Sequence, residues 1–170
     1  MRTSSSPTPP EENMLKRSAA GILASLVFTS TQSAALDVTI TLPRAVEKHL
    51  GEGCGGGEKL AITPSFITAT DINGDGITDY ILNYGYAGCG GAIGSSFCGT
   101  GGCSLSVFLG TKNDAVLALD DLSLGYKIYR YKGYAVAEVQ GKYGQGIMKL
   151  TSKKPETLKS LPSGGKLVGN

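Results

Sequence analysis

Tryptophan is absent from the 170 residues, and there are only four phenylalanines and one histidine. Large aromatic anchors are scarce, so Ile, Leu, Val and Tyr must build a modest core. With His49 alone, no multi-histidine metal site is available, and any Ser/His or Cys/His nucleophile pair would have to use this one ring. No charge of one sign dominates, with 16 basic residues against 14 acidic ones. That balance gives no electrostatic ground for a nucleic-acid or membrane-surface partner. No apolar run reaches the ~20 residues of a membrane-spanning helix. No segment repeats at the ~40–50-residue period of a propeller. The glycine runs at 53–57 and 85–91 lack the Lys-Ser/Thr that completes a phosphate-binding loop, so they read as surface loops.

Residues 14–35 read as a secretory signal peptide. Lys16 and Arg17 precede the apolar stretch Ala19–Phe28, and Ser33-Ala34-Ala35 supplies small residues for cleavage after Ala35. Residues 1–13, rich in Ser and Pro, fit neither a signal nor a fold, and Met14 is an alternative start. No Cys stands at the cleavage point for lipid attachment. The expected destination is the periplasm or the cell exterior. Cleavage removes Arg2, Lys16, Arg17, Glu11 and Glu12, which leaves 13 basic and 12 acidic residues. The remaining chain, about 135 residues, is one domain in size.

Cys54, Cys89, Cys98 and Cys103 all lie in that mature part. Four cysteines allow three connectivities. Cys98–Cys103 with Cys54–Cys89 is favoured, because the glycine-rich steps let the chain turn back on itself. A four-cysteine zinc site is the competing reading, but the spacings lack its usual close pairs, and an oxidising compartment favours disulfides.

The densest chemistry lies in Asp71-Ile72-Asn73-Gly74-Asp75-Gly76-Ile77-Thr78-Asp79. Oxygen side chains fall at relative positions 1, 3, 5 and 9, and Ile77 at position 7 offers its carbonyl. A hard cation such as Ca²⁺ takes six to eight oxygen ligands from a loop of this kind. An acidic β-turn without metal is the bland alternative, but three clustered carboxylates repel unless a cation neutralises them. Calcium is favoured over magnesium because the set is all oxygen and self-contained. Position 12 is Leu82 rather than the Glu of an EF-hand, and the flanks read as strands. The segment resembles the EF-hand-like calcium loop of FG-GAP or VCBS-type repeats. DINGDGITDYILNYG with Cys89 and FCGTGGCSLSVF at 97–108 is similar to small exported bacterial proteins of unassigned function. The likeness covers about residues 60–110. It implies Ca²⁺ as cofactor and an exported setting.

The fold expected is mainly β: an antiparallel sheet domain over 36–150, with disulfide-tied Gly-rich loops and a single calcium loop. One short helix is predicted over Leu42–Leu50, with Pro near its start and Gly51 at its exit. Strands are predicted near 59–62, 65–70, 79–84, 104–109, 115–119, 125–131, 134–140 and 146–151. Lys132-Gly133 marks a hairpin turn. Residues 151–170, rich in Lys, Ser, Pro and Gly, read as a flexible tail.

His49 reads as a partly exposed helical residue, and Asp120-Asp121 as a solvated turn. Tyr126, Tyr129, Tyr131, Tyr134 and Tyr143, with Lys127, Arg130, Lys132 and Lys142, form the densest aromatic–basic cluster. A half-buried sheet with snorkelling lysines is its ordinary reading. If exposed, the cluster is a surface for a protein or glycan partner. The expected function is a monomeric, exported, non-enzymatic calcium-binding protein whose ion is structural. The alternative is an exported inhibitor or immunity-type protein that binds another protein. A small calcium-dependent hydrolase ranks lower, for want of a nucleophile–base pair.

Overall fold

The computed structural model describes residues 41–170; the extension 1–13 and the signal segment 14–35 lie outside the described residues. Asp79, Tyr80, Ile81 and Leu82 are four consecutive buried residues. A strand with water on one face would alternate, so this run marks a strand covered on both faces. It is β3 (Asp79–Asn83).

The elements before it are a helix, α1 (Arg44–Gly51), and strands β1 (Leu60–Ile62) and β2 (Ile67–Thr70). A 3₁₀ turn (Tyr84–Tyr86), β4 (Ala87–Cys89), β5 (Cys98–Gly99), β6 (Gly102–Gly110) and β7 (Ala115–Ser123) follow. The last group is β8 (Gly125–Tyr131), β9 (Tyr134–Gly141), β10 (Gly144–Leu150), β11 (Glu156–Thr157) and β12 (Lys166–Gly169). All pairings are antiparallel. One sheet runs β2-β3-β6-β5, with β7 on β6; a second runs β11-β10-β9-β8-β12; β1 and β4 form a ribbon.

Two apolar clusters sit on opposite faces of the first sheet. Ile81, Leu105, Val107 and Leu109 pack with Ile128, Ala137, Val139 and Leu150 of the second sheet. On the other face Tyr80, Leu82 and Phe108 pack with Phe66, Tyr84 and Val46, the last from α1. The first sheet is thus a middle layer, and each fully buried Ile, Leu, Val or Phe contributes ~1.5–3 kcal/mol. α1 has no side-chain cap of its own at Pro43. Asp114, in the β6–β7 turn, supplies one from a distance: its Oδ1 accepts from the Ala45 N–H at 3.0 Å.

The predicted disulfides are both present, Cys54–Cys89 and Cys98–Cys103, and the described residues contain no free cysteine. The first ties the segment after α1 to the end of the β1–β4 ribbon. The second pins the β5–β6 hairpin, where the two cysteines are register partners.

Two expectations are corrected. Residues 151–170 are not a free tail: β11 pairs with β10, and β12 pairs with β8. Tyr131 Oη also donates to the Pro162 carbonyl at 2.6 Å. The polar composition signalled flexibility, but the outer edges of β8 and β10 offer unpaired backbone groups that these short strands satisfy. Asp120-Asp121 is not a turn: β6 and β7 pair from Cys103↔Ser123 to Gly110↔Ala115, so the two acids lie within the strand opposite Ser106 and Leu105.

Loop length sets the relative worth of the disulfides. Replacing Cys54 and Cys89 by Ala should cost about 4 kcal/mol, and replacing Cys98 and Cys103 about 2 kcal/mol, on the chain-entropy account. Urea unfolding of the two double variants measures the difference. The Asp114 cap has a pH signature. The N–H groups of Ala45 and Ala115 hold the Asp114 carboxyl below its ordinary value of 3.8. A lowered folded pKa stabilises above the unfolded value and is lost as pH falls through the folded one. Asp114→Asn should therefore melt below the parent at neutral pH, and that gap should close in strong acid.

Candidate metal site

The loop between β2 and β3 is shaped by its own side chains. Asp71 Oδ1 accepts from the Gly74 N–H at 2.6 Å and Oδ2 from the Gly76 N–H at 3.1 Å. Asn73 Oδ1 accepts from the Asp75 N–H at 2.9 Å, and Asp75 Oδ1 from the Ile77 N–H at 2.8 Å. Asn73 Nδ2 donates to Asp75 Oδ2 at 3.0 Å. These turns curl the chain so that Asp71, Asn73 and Asp75 come to one short loop. Gly76, at φ 83°, takes the left-handed conformation the sharp turn needs.

Asp79 plays a different part. It has no solvent exposure. Its Oδ2 accepts from the Ile72 N–H at 2.8 Å and its Oδ1 from the Gly110 N–H at 2.7 Å. The first bond closes the loop on itself; the second ties it to the end of β6. A Cβ on Gly110 would fall on the Thr78 carbonyl and the Ile77 side chain, so only glycine permits this approach. Burial pushes the Asp79 carboxyl up, the Gly110 and Ile72 N–H groups pull it down, and the charges of Asp75 and Asp71 push it up again; the net direction is upward. Burial also pushes Asp71 up, but there the Gly74 and Gly76 N–H groups and Arg130 prevail, and its carboxyl lies below the ordinary value.

Arg130, from β8 of the second sheet, reaches the loop. Its Nη1 lies 4.0 Å from Asp71 Oδ2, and its stem runs beside Gly74. Its Nε is buried without a hydrogen-bond partner.

Among the described residues no three His, Cys, Asp or Glu side chains stand as a converged metal cluster. The loop carboxylates turn their oxygens back onto backbone N–H groups instead. The donor chemistry nevertheless fits a hard cation. A carboxylate has about four acceptor sites, and Asp71 and Asp75 each commit two to the bonds above. Asp79 has its two oxygens committed to the backbone and stands behind the other donors as a buried anion.

The tyrosines do not form one exposed face. Tyr126 packs against the inter-sheet core. Tyr131 stacks on Tyr134 with centroids 4.9 Å apart and lies under the segment leading to β12. Tyr129 Oη donates to Glu138 at 3.4 Å, and Lys127 stands 3.8 Å from the same carboxylate. Only Tyr143, 95% exposed, stands clear. His49 is not a bystander on α1. Its Nε2 lies 3.1 Å from Ser106 Oγ, which donates to Asp120 Oδ1 at 2.9 Å. Sequence reading missed this group because its members are 57 and 14 residues apart. The one available signal was a serine at a core-facing strand position.

Comparison with known protein families, curated proteins and solved structures found no match.

The division of labour in the loop is testable by stability alone. Asp79→Ala strands two N–H groups, each costing ~1–3 kcal/mol. It should destabilise by about 3 kcal/mol with or without calcium. Asp75→Ala, at an exposed position, should cost about 1 kcal/mol or less in the presence of a chelator. Denaturant unfolding in chelator distinguishes the two.

Proposed function

We propose that this protein is an exported, non-enzymatic calcium-binding protein, acting as a monomer, in which the ion is structural. The observation that carries the reading is the donor set itself: Asp71, Asn73 and Asp75 gathered by their own Asx turns between two strands, with Asp79 anchored beneath. Asp71, Asn73 and Asp75 would bind by side-chain oxygen and Ile77 by its carbonyl. Asp79 would add charge and its remaining lone pairs. Bound calcium supplies positive charge where three carboxylates otherwise repel one another. The residues' task is to orient oxygens, and the loop's backbone N–H groups do this by holding the carboxylates at fixed angles.

Two disulfides fit an oxidising compartment, and no described helix is long and apolar enough to cross a membrane. The disulfides agree with the export expected from residues 14–35. The likeness of the loop to FG-GAP or VCBS-type calcium loops supports the same reading.

A second reading, an inhibitor or immunity-type protein that binds another protein, draws on one feature. Tyr143 rises beside a hollow of about 560 Å³ that is also lined by Leu122, Gly101 and Met148. Leu122 is itself half-exposed. Capture from periplasmic or culture-supernatant extract, compared with a Tyr143→Ser variant, tests it.

For the calcium reading, calorimetric titration of the mature protein should give one site, abolished in Asp75→Ala. At ~100 times Kd the bound ion stabilises by about 2.7 kcal/mol, because it binds the folded state alone. Thermal melts in calcium should therefore exceed those in chelator by several degrees. Magnesium should substitute poorly, since it demands tighter octahedral geometry. Coincident melts in calcium and chelator would overturn the proposal.

A further inference from the structure

A second polar site lies on the other face of the middle sheet, where the end of α1 meets β6 and β7. A hollow of about 370 Å³ opens there. Its floor is the hydrogen-bonded chain from Asp120 through Ser106 to His49. The Ser106 hydroxyl has one proton and donates it to Asp120 Oδ1. At 3.1 Å from Ser106 Oγ, His49 Nε2 must then carry a proton and donate it. In a hydrolytic triad the histidine stands between serine and acid. Here the serine stands between, and it has no solvent exposure, so no substrate reaches it as a nucleophile. The chain's effect is to orient: it holds the Asp120 carboxylate and the imidazole in one geometry.

The charged side chains that line the hollow among the described residues, Asp120 and Glu52, are both acids. Asp120 is exposed and, among the described residues, makes no ion pair. Glu52 lines the hollow as well. Its contact with Lys48 is 3.9 Å long between side chains 78% and 67% exposed, a pair of little worth in water. Among the described residues no Lys or Arg lines the hollow. The walls are aromatic: Tyr84 and Phe97 meet with centroids 4.6 Å apart, tilted by 53°. Burial, and then the Asp120 charge, push the Tyr84 hydroxyl up to about 12, so it keeps its proton.

We propose that this hollow binds a guanidinium group. A planar cation can stack on the half-buried Phe97, which Tyr84 backs from the core, while its N–H donors meet the Asp120 carboxylate, which is pre-oriented by Ser106. A carboxylate or phosphate would meet two acids and no cation. A divalent metal would find His49 Nε2 already committed to Ser106 and, among the described residues, no converged set of three donors. The guanidinium can belong to a free small molecule or to an arginine side chain of a protein; the recognising chemistry is the same. The site is independent of the calcium loop.

The sole histidine makes the test direct, because the imidazole of the untagged mature protein gives a single Hε1 signal. Ethylguanidine and arginine ethyl ester should shift that signal saturably, whereas butyrate and butanamide should not. Asp120→Asn keeps an acceptor for Ser106 and should weaken binding at least tenfold. Asp121→Asn, on the opposite face of β7, should leave it unchanged, and Glu52→Gln should weaken it about threefold. Tighter binding of the tripeptide Gly-Arg-Gly than of ethylguanidine would point to a protein source, and the reverse to a free ligand; either upholds the site. No saturable shift with any guanidinium, an equal shift with the neutral control, or unchanged affinity in folded Asp120→Asn would overturn it.

Discussion

The structure turns on one buried carboxylate. Asp79 opens β3, has no exposure, and spends its two oxygens on the N–H groups of Ile72 and Gly110. Those bonds join three pieces of chain: the β2–β3 loop, the central strand and the far end of β6. A buried ionised group is tolerated only where hydrogen bonds replace its water, and charge-assisted bonds of this kind are the stronger ones. The burial of Ile72 beside it follows, because closing the loop on Asp79 brings that side chain into the inter-sheet core.

This arrangement explains why the loop is both ordered and electrostatically tense. Asx-type bonds give Asp71, Asn73 and Asp75 defined positions. Burial is the main cause that pushes the Asp79 carboxyl upward, and the charges of Asp75 and Asp71 in these positions add to it. Backbone N–H groups offset part of that repulsion, and Arg130 offsets part at the rim. The loop is therefore built by local geometry and left short of positive charge, the condition in which a hard cation gains most by arriving.

Much of this was legible in the sequence because the signals were local. Eight strands, the helix after Pro43, the Lys132-Gly133 turn and the disulfide pairing follow from short-range patterns of β-branched residues, Pro, Gly and Cys. The errors were long-range. Glu156–Thr157 and Lys166–Gly169 carry no strand pattern and exist because open sheet edges receive them. Asp120-Asp121 resembles a turn by composition, yet the length of β6 carries its partner strand past it. The Asp79 bond to the Gly110 N–H, 31 residues on, was likewise undisclosed by the loop's own spacing. His49 looked solitary because Ser106 and Asp120 approach it only through folding.

Arg130 shows how far these parts are joined. It lies on β8, where Lys166 of β12 is its register partner. Its guanidinium reaches Asp71 on the first sheet, while its Nε stays buried and unsatisfied. An unsatisfied buried donor is costly, so what holds this side chain in place is the loop's negative charge and the packing of its stem on Gly74. The charge of the loop and the closure of the second sheet by the C-terminal segment thus act on one residue.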